Sequence, residues 1–106
     1  MRILLDECID ERFRHQFVDH NCQTARYAKF AGLTNGRLLS AAEGGAFEVL
    51  VTVDQGIPHQ QNIVERKIAV IVLCVPSSRL EDLIQLMPAI LSALDSIAPG
   101  QVVLLP

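Results

Sequence analysis

Ile68-Ala69-Val70-Ile71-Val72-Leu73-Cys74-Val75 is almost wholly apolar and rich in β-branched residues. A run of that length and composition reads as a strand covered on both faces, as in the interior of a parallel sheet. Two runs of the same kind come earlier. Arg2–Leu5 ends at Asp6, and the valine-rich Phe47–Val53 ends at Asp54. Cys22–Ala25 and Val102–Leu105 complete the set of expected strands.

Helical patterns lie between them. Ile9, Phe13 and Phe17 recur every fourth residue, so a helix is expected from Asp10 until Asp19-His20-Asn21 ends it. Gly32 and Thr34-Asn35-Gly36 mark a turn; Thr34 or Asn35 caps a second helix with Leu38, Leu39 and Ala42 on its apolar stripe, which Gly44-Gly45 stops. Gln55-Gly56-Ile57-Pro58 breaks regular structure, and Ser78-Arg79-Leu80-Glu81 has the form of a capping box. The helix it opens carries Leu80, Leu83, Ile84, Met87, Ile90, Leu91, Leu94 and Ile97 on its core face. Pro88 should bend it and Pro99-Gly100 close it. Strands alternating with helices predict an α/β fold: three layers, α/β/α, around a mostly parallel central sheet.

The 106 residues fit a single domain, 1–106, and the 50% apolar fraction excludes intrinsic disorder. No apolar run approaches the ~20 residues of a membrane helix. Asp6 and Glu7 stand where an export signal needs its apolar stretch, so a soluble cytoplasmic protein without membrane partners is expected. Cys8, Cys22 and Cys74 form no close pair, which suits a reducing compartment. Cys8, His15, His20 and Cys22 match none of the usual zinc spacings. Nine bases against twelve acids give a net charge of −3, unlike a protein that grips phosphate backbones by charge alone. The bases concentrate in residues 1–40, with six there against five acids, so a polyanion should approach that half.

In a parallel sheet every strand points the same way, and ligands bind beyond the carboxyl ends. Asp6 and Asp54 therefore belong on one rim. Carboxylates brought together repel unless a cation lies between them, and oxygen ligands with waters suit Mg²⁺ or Mn²⁺. The plainer reading of each acid is a solvated strand end or a cap. His59-Gln60-Gln61-Asn62 offers an imidazole and amides that suit base edges or phosphate oxygens, or simply a polar turn. Arg12, Arg14 and Arg26 are candidates for phosphate contact, or the solvated face of the first helix.

Ile3-Leu4-Leu5-Asp6-Glu7-Cys8, Ala31–Leu39, Val49-Leu50-Val51-Thr52-Val53-Asp54-Gln55, Ile57–Asn62, Ile68–Leu73 and Ser78–Asp82 together resemble the PIN-like domains of small bacterial proteins. The resemblance spans nearly the whole chain, and its most specific parts are the Asp6-Glu7 pair and Thr52-x-Asp54. It implies membership of a superfamily dominated by metal-dependent ribonucleases, many of them toxins of toxin–antitoxin pairs. By that resemblance Asp6 and Asp54 hold the metal and, with Glu7, form the catalytic set, while Thr52 orients Asp54. Asn35, Gln60, Gln61, Asn62 and Thr52 are the expected substrate-contacting residues. RNA is the implied substrate and an antitoxin the implied partner. A homodimer is a further expectation, because such domains commonly pair and the last long helix is richly apolar. This chain departs from the family pattern at Asn35, where an acid often stands, and at Tyr27 and Arg37, where related sequences often carry Glu. Arg37 is a candidate internal cation for the site. Those departures motivate the alternative of a catalytically weakened module that binds a partner protein or RNA. A phosphate-receiver arrangement is set aside, because the strand order of its motifs differs and no lysine stands at a strand end in the later half.

Overall fold

The computed structural model describes residues 1–60 and 62–106, the side chains of Asn35, His59 and Gln60 excepted. Among the described residues a single sheet contains β1 (Arg2–Leu5), β2 (Asn21–Thr24), β3 (Val49–Thr52), β4 (Ala69–Leu73) and β5 (Val102–Leu105). All its pairings are parallel and the order is β2-β1-β3-β4-β5. The α/β reading of the sequence therefore holds, with a sheet that is parallel throughout. This is one of the two common doubly wound orders and the one that receiver domains share, so the strand-order objection to a receiver falls. The lysine objection stands: Lys29 follows β2 and Lys67 precedes β4.

Every residue of β3 and β4 is buried, as continuous apolar runs require when both faces are covered. Alternate residues feed two cores. Ile3, Leu5, Val49, Val51 and Ile71 pack with Phe13, Phe17, Leu83, Ile90 and Leu94 on one face. Leu4, Leu50, Val70 and Val72 pack with Leu38, Leu39, Phe47 and Ile57 on the other.

The segment after β1 forms a 3-10 helix, Glu11–Gln16, rather than the expected α-helix. Asp10 caps it, accepting Arg12 N–H at 2.9 Å, and the Arg12 side chain bonded to the same carboxylate holds Asp10 down to about 2. A carboxyl lowered on folding contributes its stability fully above the ordinary value of 3.8 and loses it as pH falls through about 2. Ile9, Phe13 and Phe17 are buried as their spacing predicts, the last two edge-on with centroids 5.3 Å apart.

α1 (Asn35–Gly44) begins at Thr34 without a side-chain cap bond. It ends in a Schellman arrangement, with Phe47 N–H on Ala42 C=O at 2.9 Å and Ala46 N–H on Glu43 C=O at 3.0 Å. The residue forced into the left-handed region is Ala46, with φ +63°, and not either of the glycines expected to stop the helix. Ala46→Gly should therefore stabilise the fold by about 0.5–1 kcal/mol, since an L-residue pays ~1–2 kcal/mol there and glycine's looser unfolded chain offsets only part. A thermal melt should show a rise of a few degrees; an unchanged or lower midpoint would refute the argument.

Gln55–Pro58 does not simply break structure, because α2 (Ile57–Gln60) starts there and buries Ile57. The capping box at Ser78 does not form: Arg79 is the N-cap, its N–H bonded to Ser77 Oγ at 3.1 Å, and Glu81 pairs with the Arg79 side chain. The expected long bent helix is two helices, α3 (Leu80–Ile84) and α4 (Met87–Ser96). Pro88 sits in the first turn of α4, where no N–H is needed and its fixed φ suits the helix. Leu83, Met87, Ile90 and Leu94 are buried as expected, whereas Ile84 and Leu91 keep over a third of their surface exposed. Gly100, at φ +82°, tolerates no side chain, since a Cβ would lie 2.6 Å from Val64 O. Among the described residues no helix is long and apolar enough to cross a membrane.

Candidate functional site

β1 has β2 on one side and β3 on the other, so the chain winds in opposite directions from the β1–β3 boundary. That boundary is the switch point where doubly wound sheets open a crevice at their carboxyl rim. Asp6 follows β1 immediately and Asp54 follows β3 by two residues. The register Leu5↔Val51 brings Asp6 beside Thr52, and Asp6 N–H donates to Val51 C=O at 3.0 Å.

Thr52 ties the two acids together. Its side chain is fully buried, its hydroxyl donates to Asp6 Oδ2 at 2.8 Å, and the same oxygen accepts Asp54 N–H at 3.0 Å. Asp6 Oδ1 accepts Glu7 N–H at 2.8 Å and Asp54 Oδ1 accepts Gly56 N–H at 2.8 Å. Both carboxylates are thus oriented from behind, by one hydroxyl and by backbone N–H groups. The expectation that Thr52 orients Asp54 takes a specific form: the hydroxyl holds Asp6 directly and Asp54 through its backbone.

Thr52→Val keeps the shape and removes both bonds. It should cost about 1–3 kcal/mol in urea unfolding, because Asp54 N–H and Asp6 Oδ2 lose their partner. Thr52→Ser should recover most of that loss. A Val variant as stable as the parent would show that the bridge contributes nothing.

A cleft of about 190 Å³ opens over this rim, lined by Asp6, Glu7, Asp54, Cys8, Thr34 and Ile57 among others. Glu7 reaches its wall, but its carboxylate accepts Gly32 N–H at 3.3 Å and so leans toward the turn before α1. Cys8 is exposed, its sulfur 3.9 Å from the Thr52 hydroxyl; partial desolvation against the rim raises its thiol pKa, and the Asp6 carboxylate adds to the shift. Cys8 had no place in the sequence-based site, although its position two residues past Asp6 at a strand end was the signal. Cys22, against the core below the 3-10 helix, is pushed up by burial to about 12.

The remaining expected contacts fare unevenly. The side chains of Asn35, His59 and Gln60, and all of Gln61, lie outside the described residues. Asn62 is exposed and does not line the cleft. Arg37 is exposed in the first turn of α1 and makes no ion pair with Asp6 or Asp54 among the described residues, so it is not an internal cation there. Its neighbour Leu38 lines the cleft and Arg37 does not, because successive residues of a helix point about 100° apart.

Among the described residues no three His, Cys, Asp or Glu side chains gather as a ready-made metal cage. The donor set at the rim is two oriented carboxylates beside an open cleft. That fits Mg²⁺ or Mn²⁺, which keep several waters and take one or two protein carboxylates. Fold and rim together define a doubly wound α/β domain with an acidic crevice at its switch point. Compared with known proteins, the chain matches no family model, no curated protein and no solved structure.

Proposed function

We propose that this chain is a PIN-like, metal-dependent endoribonuclease that hydrolyses phosphodiester bonds of RNA at the β1–β3 crevice. The observation that carries the reading is the pair Asp6 and Asp54, tied through the Thr52 hydroxyl at the mouth of the cleft. Asp6 and Asp54 would hold Mg²⁺ or Mn²⁺, which when bound supplies Lewis acidity at a phosphoryl oxygen and lowers the pKa of water. Thr52 keeps the Asp6 carboxylate facing the cleft, and the Gly56 N–H does the same for Asp54. Glu7, on the cleft wall, contributes negative charge that favours a cation over a bare phosphate. The cytoplasm, a cognate antitoxin that covers the acidic rim, and pairing of two copies belong to the same reading as its cellular setting.

One observation favours the second reading, a weakened module that binds a partner protein or RNA. The Glu7 carboxylate is engaged by Gly32, which leaves two carboxylates for the metal.

Incubation of 5′-labelled single-stranded RNA with Mn²⁺, with Mg²⁺ and with chelator separates the two. Cleavage that requires metal is expected, together with Mn²⁺ binding by calorimetry. No cleavage of several RNAs and no Mn²⁺ uptake would leave the binding module.

A further inference from the structure

Among the described residues the acidic cleft is not the largest depression. A groove of about 550 Å³ lies between the 3-10 helix and the edge strand β2, with Arg12, Arg14, His15, Gln23 and Tyr27 on its walls. That volume is within the ~300–1,000 Å³ of ordinary ligand sites. A smaller depression of about 210 Å³ connects it to the rim. It shares Glu11 and Thr24 with the groove and Glu7 with the acidic cleft, and carries Arg26. The shared residues make the three depressions neighbours, and the large groove follows β2 along its length, Asn21–Thr24, leading away from the rim. Two inter-strand spacings, roughly 10 Å, separate the ends of β2 and β3, a span of about three stacked nucleotides.

The chemistry along this path changes in one direction. At the β3 end it is acidic. At the β2 end it holds Arg14 and Arg26, both exposed and neither in an ion pair among the described residues; Arg12 is paired with Asp10. Glu11 opposes them on the dividing wall. Tyr27 is the one aromatic in the exposed class, at 75%, while Phe13, Phe17 and Phe47 are buried. Its place is set: Tyr27 N–H donates to the Thr24 hydroxyl at 3.1 Å, which fixes the turn leaving β2. Guanidinium groups outside any ion pair among the described residues, beside an exposed ring, suit phosphates and an unstacked base.

We propose that this groove binds the single-stranded RNA that runs on from the acidic crevice, with phosphates on Arg14 and Arg26 and a base stacked on Tyr27. The inference rests on the reading of RNA as the substrate but not on cleavage.

The test measures binding apart from chemistry. Fluorescence anisotropy of a labelled 12-nucleotide single-stranded RNA is followed in chelator, across a salt series, with the full chain. Arg14→Gln with Arg26→Gln should weaken binding about tenfold and flatten the slope of log affinity against log salt by ~1.4, two phosphate contacts' worth. Tyr27→Ala should weaken it between about 5- and 100-fold with little change in slope, since stacking carries no counterion term. Wild-type affinity in all variants overturns the proposal, as does an RNA the wild type does not bind or a groove that takes up a peptide strand instead. Cleavage in Mn²⁺ reports separately. RNA bound through these residues but never cut keeps the groove and removes the nuclease. RNA cut with an unchanged KM in the arginine variant removes the groove and keeps the nuclease.

Discussion

Asp54→Asn should abolish metal-dependent cleavage, lowering kcat/KM by at least about 10²-fold, and Asp6→Asn should do the same. Losing even an outer partner of a metal ligand usually costs 10- to 100-fold, and here one of the two carboxylates proposed to hold the metal disappears. The double variant should be little worse than either single one, because residues that act as a unit do not add. Stability should hardly change on Asp54→Asn. Asp54 is exposed, and the amide oxygen of asparagine can still accept Gly56 N–H. In the Asp6→Asn variant the single amide oxygen can accept from the Thr52 hydroxyl only by turning the NH₂ toward the Glu7 N–H, so a loss of about 1 kcal/mol is expected there. Activity assays and thermal melts on the same preparations check this. Cleavage that survives in both variants would assign the activity to other residues or to a contaminant.

The largest effect on stability is expected at Phe13. Its ring is fully buried, meets Phe17 edge-on at 86°, and belongs to the core shared by β1, β3, β4 and α4. Phe→Ala in such a place costs about 3–5 kcal/mol, from lost transfer energy and the cavity left behind. Six residues of 3-10 helix have no means of holding together alone, since the hydrogen bonds are poor and nucleation is unfavourable. Phe13 is thus what fastens this helix to the sheet. Phe13→Ala should lower the melting temperature by more than ~12 °C in a domain of this size. It should also weaken RNA binding, because the 3-10 helix forms one wall of the groove. A loss under about 1 kcal/mol in urea unfolding would mean that the neighbouring side chains close the gap.

These substitutions divide the molecule by how each position could be known. The apolar runs that contain β1, β3 and β4 are legible in the sequence, because a strand buried on both faces must be largely apolar, although the strands are shorter than the runs: Val49–Thr52 within Phe47–Val53 and Ala69–Leu73 within Ile68–Val75. Asp6 and Asp54 are legible from the same fact, since parallel strands carry their final residues to one rim. The buried positions Phe13, Leu38, Leu39 and Ile90 follow from spacing, which records which side faces a core. Local pattern says less about how an element is made. The spacing of Ile9, Phe13 and Phe17 suits an α-helix, yet a short link between β1 and β2 winds as 3-10. The Ser78 box yields to an Arg79–Glu81 ion pair, and α1 ends on Ala46 and not on glycine.

What decides the site lies between segments far apart in the chain. Thr52 could be read as an ordinary β-branched strand residue until the Leu5↔Val51 register set its hydroxyl against Asp6. The groove is equally remote from any motif: Arg14 and Tyr27 share it, with Arg26 in the depression beside it, only because β2 is the edge strand beside β1 and the 3-10 helix packs against it. Periodicity and strand-end acids are properties of neighbouring residues, so the amino-acid order alone determines the α/β class, the core faces and the acidic rim. Strand order, register and which surfaces meet depend on the total packing of all five strands, and so only the tertiary structure decides how the acids are bridged and where the groove runs.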